Sequence, residues 1–214
     1  MDTPDRNAFD EIYRRLGPEQ IAWHYDEPPE QLIELLDSGQ VRPCKALELG
    51  CGLGTQSLAL AQRGFDVTGV DCSRAAIDEA RRRAARAGAR VRYLVADLLT
   101  SLDELSPPYE FAWDWEVLHH VFPAQRPALV RSLSGLLGPG GRYLSVAFSE
   151  KDPWLADQGK YRKTPIDTVL YFSSQQELRE LFEPSFEVLA LETIEIRGKR
   201  EPHLANWLLV QKRR

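Results

Sequence analysis

The sequence predicts an α/β fold with a mostly parallel sheet and helices on both faces. Short apolar segments alternate with helical segments of about 10–15 residues, which is typical of βαβ units. Glycines follow three predicted helices, at Gly64, Gly88 and Gly138, where a left-handed residue ends a helix at little steric cost. A glycine-rich turn also connects the first strand to the next helix. Right-handed crossovers then place helices on both faces of the sheet.

Hydrophobic patterning and turn residues predict the elements in order. The five parallel strands are predicted at residues 45–49, 66–70, 90–95, 110–114 and 143–148. The helices are predicted at 55–63, at 74–87 with Ser73 as the cap, at 123–137 and at 174–182. Two closing strands, at 185–193 and 206–211, are joined by a short segment that contains Gly198 and Pro202. This spacing favours an antiparallel hairpin at the sheet edge.

Two further segments are predicted to cover the sheet. Residues 1–40 form a helical cap, with a helix at 30–37 that ends at Ser38-Gly39. Residues 149–172 are polar and irregular, and an insert of this length is typical of a lid rather than of a plain connection. A chain of 214 residues is predicted to be a single domain, spanning 1–214.

Composition excludes several classes of protein. Apolar residues make up 43% and charged residues 28%, as in ordinary globular proteins. The 27 Lys and Arg against 32 Asp and Glu give a net charge of -5 without a basic tail, which disfavours nucleic acid as a partner. No apolar run approaches the about 20 residues of a membrane span, and the first residues lack the apolar core of a secretory signal. We therefore expect a cytoplasmic monomer or homodimer that does not enter membranes. The 3 cysteines are not closely paired, so we expect neither a disulfide framework nor a metal site.

The most informative segment is the glycine-rich turn after the first strand. Its glycines are Gly50, Gly52 and Gly54, a G-x-G-x-G spacing. Thr55 stands where the dinucleotide pattern G-x-G-x-x-G has its third glycine. Glu48 lies two residues before the first glycine. Because a carboxylate repels a pyrophosphate and attracts an ammonium group, the turn predicts a ligand with a cationic part.

Two more acids follow the second and third strands. Asp71 is predicted to accept hydrogen bonds from ribose hydroxyls, and Asp97 from an adenine amino group. Cys72 and Leu98 are predicted to flank the adenine, and Cys51 lies inside the glycine turn. We interpret the two cysteines as small apolar packing groups rather than as reactive thiolates. One acid for an amine, one for a ribose and one for an adenine, in this order, correspond to S-adenosylmethionine.

With these motifs the chain resembles the class I S-adenosylmethionine-dependent methyltransferases. The stretch ELGCGLG is similar to their first motif, VTGVDCS to their second and LVADLL to their third. WDWEVLHHVF and LLGPGGRYLSVAF are similar to the segments around their fourth and fifth strands. The resemblance spans residues 44–148 and implies a Rossmann-like sheet of seven strands with an antiparallel last strand. It also implies S-adenosylmethionine as the cofactor. Glu48 stands where Asp is common in the family, and it keeps the charge.

The end of the fourth strand is predicted to lie beside the transferred methyl group. Asp114 is predicted to line the methionine or methyl end of the cofactor, and Trp115 to form a wall of the acceptor pocket. His119 is predicted to act as a general base, because imidazole titrates near neutral pH. His120 is the alternative base, and packing or capping is the alternative role for both histidines.

Aromatic and cationic residues of the two covers are candidates for closing the site. Trp23 is predicted to roof the cofactor, as an N-terminal aromatic residue does in thiopurine- and tellurite-type methyltransferases, and the sequence is similar to that branch. In the lid, Tyr161 and Arg162 are predicted to contact the substrate. A solvated loop is the alternative interpretation of this segment.

The sequence therefore predicts methyl transfer from S-adenosylmethionine to a small-molecule acceptor, with a small thiol or a selenium or tellurium species preferred. Three alternatives stay open. Ser106-Pro107-Pro108-Tyr109 is similar to a motif of N-methyltransferases acting on nucleic acid or protein, although here it precedes the fourth strand, as a turn would. A non-catalytic S-adenosylmethionine-binding protein is the second. A nicotinamide-dependent oxidoreductase is the third, and the glycine spacing and Glu48 disfavour it.

Overall fold

The protein is described by a computed structural model that covers residues 6–100, 102, 104–155 and 159–213. These residues form six α-helices, three short 3-10 helices and nine strands. The helices are Arg6–Arg15 (α1), Glu30–Asp37 (α2), Thr55–Gln62 (α3), Arg74–Arg86 (α4), Arg126–Leu136 (α5) and Gln175–Phe182 (α6). The strands are Lys45–Leu49 (β1), Asp66–Asp71 (β2), Arg92–Val95 (β3), Tyr109–Trp115 (β4), Leu137–Phe148 (β5), Tyr161–Lys163 (β6), Val169–Tyr171 (β7), Phe186–Ile196 (β8) and His203–Lys212 (β9).

Seven of the strands form one sheet, in the order β3-β2-β1-β4-β5-β9-β8. The strands β1 to β5 are parallel, whereas β9 is antiparallel to both β5 and β8. The predicted fold class is thereby confirmed, including the antiparallel last strand. The carboxyl ends of β1, β2 and β4 meet at one edge, because Glu48 on β1 pairs with Gly69 on β2 and with Trp113 on β4.

Helices cover both faces of this sheet, as the crossovers predict. Side chains alternate along each strand, so that Ala46 and Leu47 of β1 enter different hydrophobic clusters. The first cluster packs the strands against α2 and α3 through Leu32, Leu36 and Leu60. The second packs them against α5 and α6 through side chains that include Leu129, Leu133, Leu178 and Phe182.

Local sequence signals set the helix starts. The Ser73 hydroxyl accepts a hydrogen bond from the Ala76 N–H (3.0 Å) and so caps α4 as predicted. Ser174 begins α6 with a capping box, in which the Glu177 carboxylate accepts a hydrogen bond from the Ser174 N–H (2.7 Å). In the part of the chain that the structure describes, no helix has both the length and the apolar character needed to cross a membrane.

Two segments show the largest differences between the observed and the predicted elements. The strand predicted at 143–148 begins earlier, because Leu137 already pairs with Tyr109 before a bulge displaces the register. The insert predicted as irregular at 149–172 contains a small antiparallel sheet of β6 and β7. A tight turn closes this pair, since the Thr164 N–H donates to the Thr168 carbonyl (2.8 Å).

Candidate active site

A cavity lies at the carboxyl ends of the parallel strands and encloses about 810 Å³, part of it open to solvent. Eight residues singled out in the sequence line it: Trp23, Gly50, Asp71, Cys72, Asp97, Leu98, Trp115 and His120. A smaller cavity adjoins it along the glycine turn. Trp23, Gly50 and Trp115 belong to both walls, and Cys51, Gly52 and Thr55 line only the smaller cavity. The structure thus brings most of the predicted cofactor residues to one crevice.

The glycine turn needs glycine for two separate reasons. Gly50, Gly52 and Gly54 have φ values of 68°, 51° and 76°, which favour glycine over residues with a side chain. A Cβ atom on Gly50 would also collide with the side chain of Val117, and one on Gly54 with the hydroxyl of Tyr93. The turn therefore lies directly against the segment that follows β4 and against β3.

Asp71 ties the glycine turn to the end of β2. Its Oδ2 accepts a hydrogen bond from the Gly52 N–H (2.9 Å), and its Oδ1 accepts one from the Ser73 N–H (2.8 Å). The side chain is buried, and this burial raises the pKa of the Asp71 carboxyl. A carboxylate has about four lone-pair sites. Asp71 can therefore hold the turn and still accept hydrogen bonds from a ligand in the cavity.

Asp97 reaches the same cavity from the end of β3. Its Oδ1 accepts a hydrogen bond from the Leu99 N–H (2.9 Å), and its Oδ2 accepts one from the Thr100 hydroxyl (3.0 Å). Leu98 and Leu99 line the cavity beside it. A carboxylate flanked by two leucines suits a flat heterocycle that carries an amino group.

Glu48 lies behind the glycine turn instead of on the cavity wall. It is 3% exposed, and its Oε2 accepts a short hydrogen bond from the Ser57 hydroxyl. Burial raises the pKa of Glu48 to about 8, so that the protonated, uncharged form predominates at neutral pH. The sequence predicts a negatively charged Glu48, but burial of the side chain favours its uncharged form. Its contact with a ligand ammonium stays a prediction.

Asp114 points into the core between β4 and β5. Its Oδ1 accepts hydrogen bonds from the N–H groups of Val117 (3.1 Å) and Leu118 (3.0 Å), and its Oδ2 accepts a short one from the Tyr143 hydroxyl. Asp114 is 1% exposed. We expected it to line the methyl end of the cofactor. Asp114 instead holds the turn that follows β4 and is not among the described residues that line the two cavities. Its contact with the methyl end of the cofactor stays a prediction that this geometry does not favour.

The two adjacent histidines differ in what they face. His119 is buried, its ring stacks on Phe148 with centroids 4.5 Å apart, and it is not among the residues that line the cavity. His120 does line the cavity, and its ring meets Phe9 edge to face at 4.9 Å. Burial lowers the pKa of both, that of His120 to about 4. Of the two histidines, His120 is therefore the one on the cavity wall. The role of His119 as a general base stays a prediction that this geometry does not favour.

The N-terminal cap forms a roof over the cavity. Trp23 lies on the cavity wall, and its Nε1–H donates a hydrogen bond to the Tyr13 hydroxyl (2.7 Å). The helix α1 is fastened to the start of α4, because the Asp10 Oδ1 accepts hydrogen bonds from the Ser73 hydroxyl (2.8 Å) and the Ala75 N–H (2.9 Å). Trp23 is therefore on the cavity wall, and its contact with the cofactor stays a prediction.

The lid residues predicted to contact substrate lie elsewhere. Tyr161 packs edge to face against Phe122 (5.4 Å) and Tyr171 (4.9 Å). The guanidinium of Arg162 lies 5.2 Å from the ring centre of Trp154. Neither side chain is among the described residues that line the two cavities. Their contact with a substrate stays a prediction that this geometry does not favour.

Sequence reasoning missed Glu116. This residue lines the larger cavity and is a non-glycine residue with a positive φ of 64°. Its N–H donates a hydrogen bond to the Val146 carbonyl (2.7 Å), which fixes the unusual backbone. A signal was present, since Glu116 closely follows a predicted parallel strand, as Asp71 and Asp97 do. It was overlooked because Asp114 stands at the predicted strand end.

The cavity fits the group that the sequence implies. Apolar side chains flank Asp97, Asp71 has unused lone pairs, and the glycine turn lets the backbone approach a ligand closely. A sheet of this strand order, with its ligand cavity at the carboxyl ends of the strands, defines a Rossmann-like nucleotide-binding protein. In the described residues no group of three or more His, Cys, Asp or Glu side chains could hold a metal ion.

Comparisons with known proteins narrow this class. The sequence family described as a methyltransferase domain matches residues 46–141. A protein named carboxy-S-adenosyl-L-methionine synthase from Campylobacter curvus is 30% identical over 178 residues, 79% of this chain and 68% of that one. The 2-heptyl-1-hydroxyquinolin-4(1H)-one methyltransferase from Mycobacteroides abscessus is 27% identical over 150 residues, 68% of this chain and 65% of that one. This chain thus spans less than two thirds of the second relative.

A solved structure agrees in fold. A protein studied for the conversion of a disulfide bond into a thioacetal group during echinomycin biosynthesis superimposes with a TM-score of 0.82 at 23% identity, over 97% of this chain and 92% of that one. Because the Campylobacter curvus relative is 30% identical and is covered over 68% of its length, and the methyltransferase domain matches as well, the chain belongs to the class I S-adenosylmethionine-dependent methyltransferase family, as its motifs predicted.

Proposed function

We propose that the protein transfers the methyl group of S-adenosylmethionine to a small-molecule acceptor. The observation that carries this proposal is the arrangement of Asp71 and Asp97 on one cavity, with Asp71 bonded to the glycine turn. In this proposal Asp71 would accept hydrogen bonds from a ribose, and Asp97 from an adenine. The family to which the chain belongs supports the same cofactor.

The residues of the chain would mainly position the cofactor and the acceptor and exclude water from them. Bound S-adenosylmethionine would supply a methyl carbon on a sulfonium, to which a nucleophile can bond in line while the thioether sulfur leaves with the electron pair of the carbon–sulfur bond. Asp71 and Asp97 would fix the nucleoside, and the smaller cavity along Gly50–Gly52 would take the methionine end. Trp23 and Tyr13 would close the crevice from above and exclude water.

The lining of the cavity supports a small acceptor. Beside the two carboxylates, Phe9, Trp23 and Val121 of the cavity wall would contact a small apolar molecule. The Mycobacteroides abscessus relative is named for a small hydroxyquinolone, and we carry over from it only this size class. The similarity to the thiopurine and tellurite branch, the cytoplasmic location, the lack of a nucleic-acid partner and the monomeric or homodimeric state stay predictions.

Binding and turnover test the proposal separately. We expect calorimetry to detect binding of S-adenosylhomocysteine, the product of the cofactor, and no binding of NADH. Labelled methyl donor should then transfer its label to members of a panel of small hydroxyl, thiol and amine compounds. Binding of NADH in place of S-adenosylhomocysteine would refute the proposal. Cofactor binding without transfer to any compound would favour the non-catalytic alternative.

A further inference from the structure

Glu116 differs from the other acids near the cavity in its hydrogen bonding. The carboxylates of Asp71 and Asp97 accept backbone hydrogen bonds, and Glu48 and Asp114 accept hydroxyl hydrogen bonds. Among the described residues, no side chain or backbone group donates to the Glu116 carboxylate or forms an ion pair with it. It nevertheless lines the cavity. Glu116 is half-buried, so its carboxylate keeps lone pairs that a ligand in the cavity can use.

The backbone of Glu116 points to the same conclusion. A glutamate with a φ of 64° occupies the left-handed region, which costs a side-chain-bearing residue stability and persists where surrounding contacts enforce it. Here the hydrogen bond from the Glu116 N–H to the Val146 carbonyl (2.7 Å) enforces it. Strain of this kind concentrates at functional sites. This backbone conformation, directly after the end of β4, determines the direction in which the Glu116 side chain points.

The position of Glu116 separates it from the methionine end of the crevice. Glu116 lines the larger cavity, together with His120 and Val121, but it does not line the smaller cavity along the glycine turn. His120 also lines this cavity, but its Nδ1 is buried and has no hydrogen-bond partner among the described residues. The Glu116 carboxylate is therefore the polar group of the two that is offered to the part of the crevice that would be left for the acceptor.

The remaining wall restricts the chemistry of the acceptor. Phe9, Trp23, Trp115 and Val121 are apolar, and no lysine or arginine is among the described residues that line the larger cavity. An anionic acceptor would find no positive partner and would be repelled by Glu116. A thiol is already partly ionised near neutral pH, whereas a hydroxyl keeps its proton and needs a base. These properties together favour an uncharged, ring-sized molecule with a hydroxyl group.

We propose that Glu116 binds the hydroxyl of an uncharged aromatic acceptor and removes its proton during methyl transfer, an inference that rests on the proposed function. Glu116 takes the proton of the acceptor hydroxyl, the hydroxyl oxygen forms the new bond to the methyl carbon, and the electron pair of the broken carbon–sulfur bond stays on sulfur. The protonated Glu116 then releases its proton to water.

The electrostatics of the site suit this role. Burial raises the pKa of Glu116 to about 7, and the charge of His203 on β9 opposes this rise. Burial, and after it the charge of Glu116, raises the pKa of the Tyr25 hydroxyl in the N-terminal segment. A base is most effective when its pKa lies near the working pH.

The test uses binding, so that it does not depend on turnover. 2-Naphthol and its methyl ether, 2-methoxynaphthalene, are titrated into the complex of the protein with S-adenosylhomocysteine at pH 7, in two buffers of different ionisation enthalpy. We expect 2-naphthol to bind more tightly than the ether and to release protons, since a hydrogen bond donated to the carboxylate favours its ionised form. Glu116→Gln should lose the proton release and about tenfold of the affinity for 2-naphthol. Its affinity for the ether should not change.

Two controls keep the result interpretable. Glu110→Gln makes the same change at an exposed position of β4 and should behave as the wild type. Glu116→Asp keeps a carboxylate and should restore proton release if Glu116→Gln folds poorly.

Three results would separate the possible failures. If 2-naphthol binds no better than its ether, or does not bind, the proposal is overturned. If Glu116→Gln weakens the binding of S-adenosylhomocysteine as much as that of 2-naphthol, Glu116 binds the ammonium group of the cofactor and the proposal is also overturned. A wild-type protein that does not bind S-adenosylhomocysteine at all refutes the proposed function itself.

Discussion

Replacing Asp71 with asparagine changes two contacts of the cofactor crevice at once. One oxygen becomes an amide NH₂, which can no longer accept the hydrogen bond from either the Gly52 or the Ser73 N–H. The same change removes the negative charge that would bind the ribose hydroxyls. The substitution therefore affects both the fold of the glycine turn and the affinity for the nucleoside.

The size of each effect follows from the number of hydrogen bonds. One of the two backbone hydrogen bonds of Asp71 is lost, and the NH₂ group then faces an N–H donor, which costs about 1–3 kcal/mol of unfolding free energy. Loss of the charged acceptor of a ribose hydroxyl weakens the binding of S-adenosylhomocysteine by about 1.5–3 kcal/mol. This corresponds to a rise in the Kd of S-adenosylhomocysteine of roughly 10–100-fold.

Urea denaturation and calorimetry measure the two effects independently. Asp66→Asn is the matched control, because Asp66 is an exposed residue at the start of the same strand, β2. We expect the control to bind S-adenosylhomocysteine as the wild type does. An Asp71→Asn variant that is folded and binds S-adenosylhomocysteine within twofold of the wild type would refute the assignment of Asp71 to the ribose.

Two further predictions concern the roof and the buried acid. Asp10→Ala removes the two hydrogen bonds that fasten α1 to Ser73 and Ala75, so we expect a loss of about 2 kcal/mol in unfolding free energy and faster hydrogen exchange in α1; unchanged exchange would contradict the roof attachment. Burial raises the pKa of Glu48 from 4.5 to about 8, so folding favours the protonated form of Glu48. The contribution of this protonated side chain to the stability of the fold is therefore complete below about pH 4.5 and declines as the pH rises to about 8. Glu48→Gln should therefore gain stability relative to the wild type between these pH values in denaturant titrations, and a constant difference would contradict this.

The main sheet could be predicted because its strands are short apolar runs that are bounded by glycine and other turn residues. Lys45–Leu49 has the predicted limits, since Gly50 follows it directly. The lid strands could not be predicted in this way. Tyr161–Lys163 and Val169–Tyr171 have three residues each, too few to show a period, and their pairing depends on contacts that only the folded lid provides.

The site was predictable where a strand end fixes the direction of a side chain. Asp71 and Asp97 reach the cavity because parallel strands end at a common edge. The residues after β4 were not predictable in detail. His119 and His120 lie in a single 3-10 turn, and adjacent residues of such a turn face different directions. The left-handed backbone of Glu116 depends on a partner on β5, Val146, which no local pattern reveals.

The place of β9 has a consequence for how the protein is made. The ribosome completes β8 before β9, yet among the described residues β8 joins the main sheet through β9 alone. Until residues 203–212 have left the exit tunnel, β5 and β8 each expose a row of backbone groups that attracts other chains. Nascent chains that stop short of β9 should therefore be prone to aggregation and depend on chaperones.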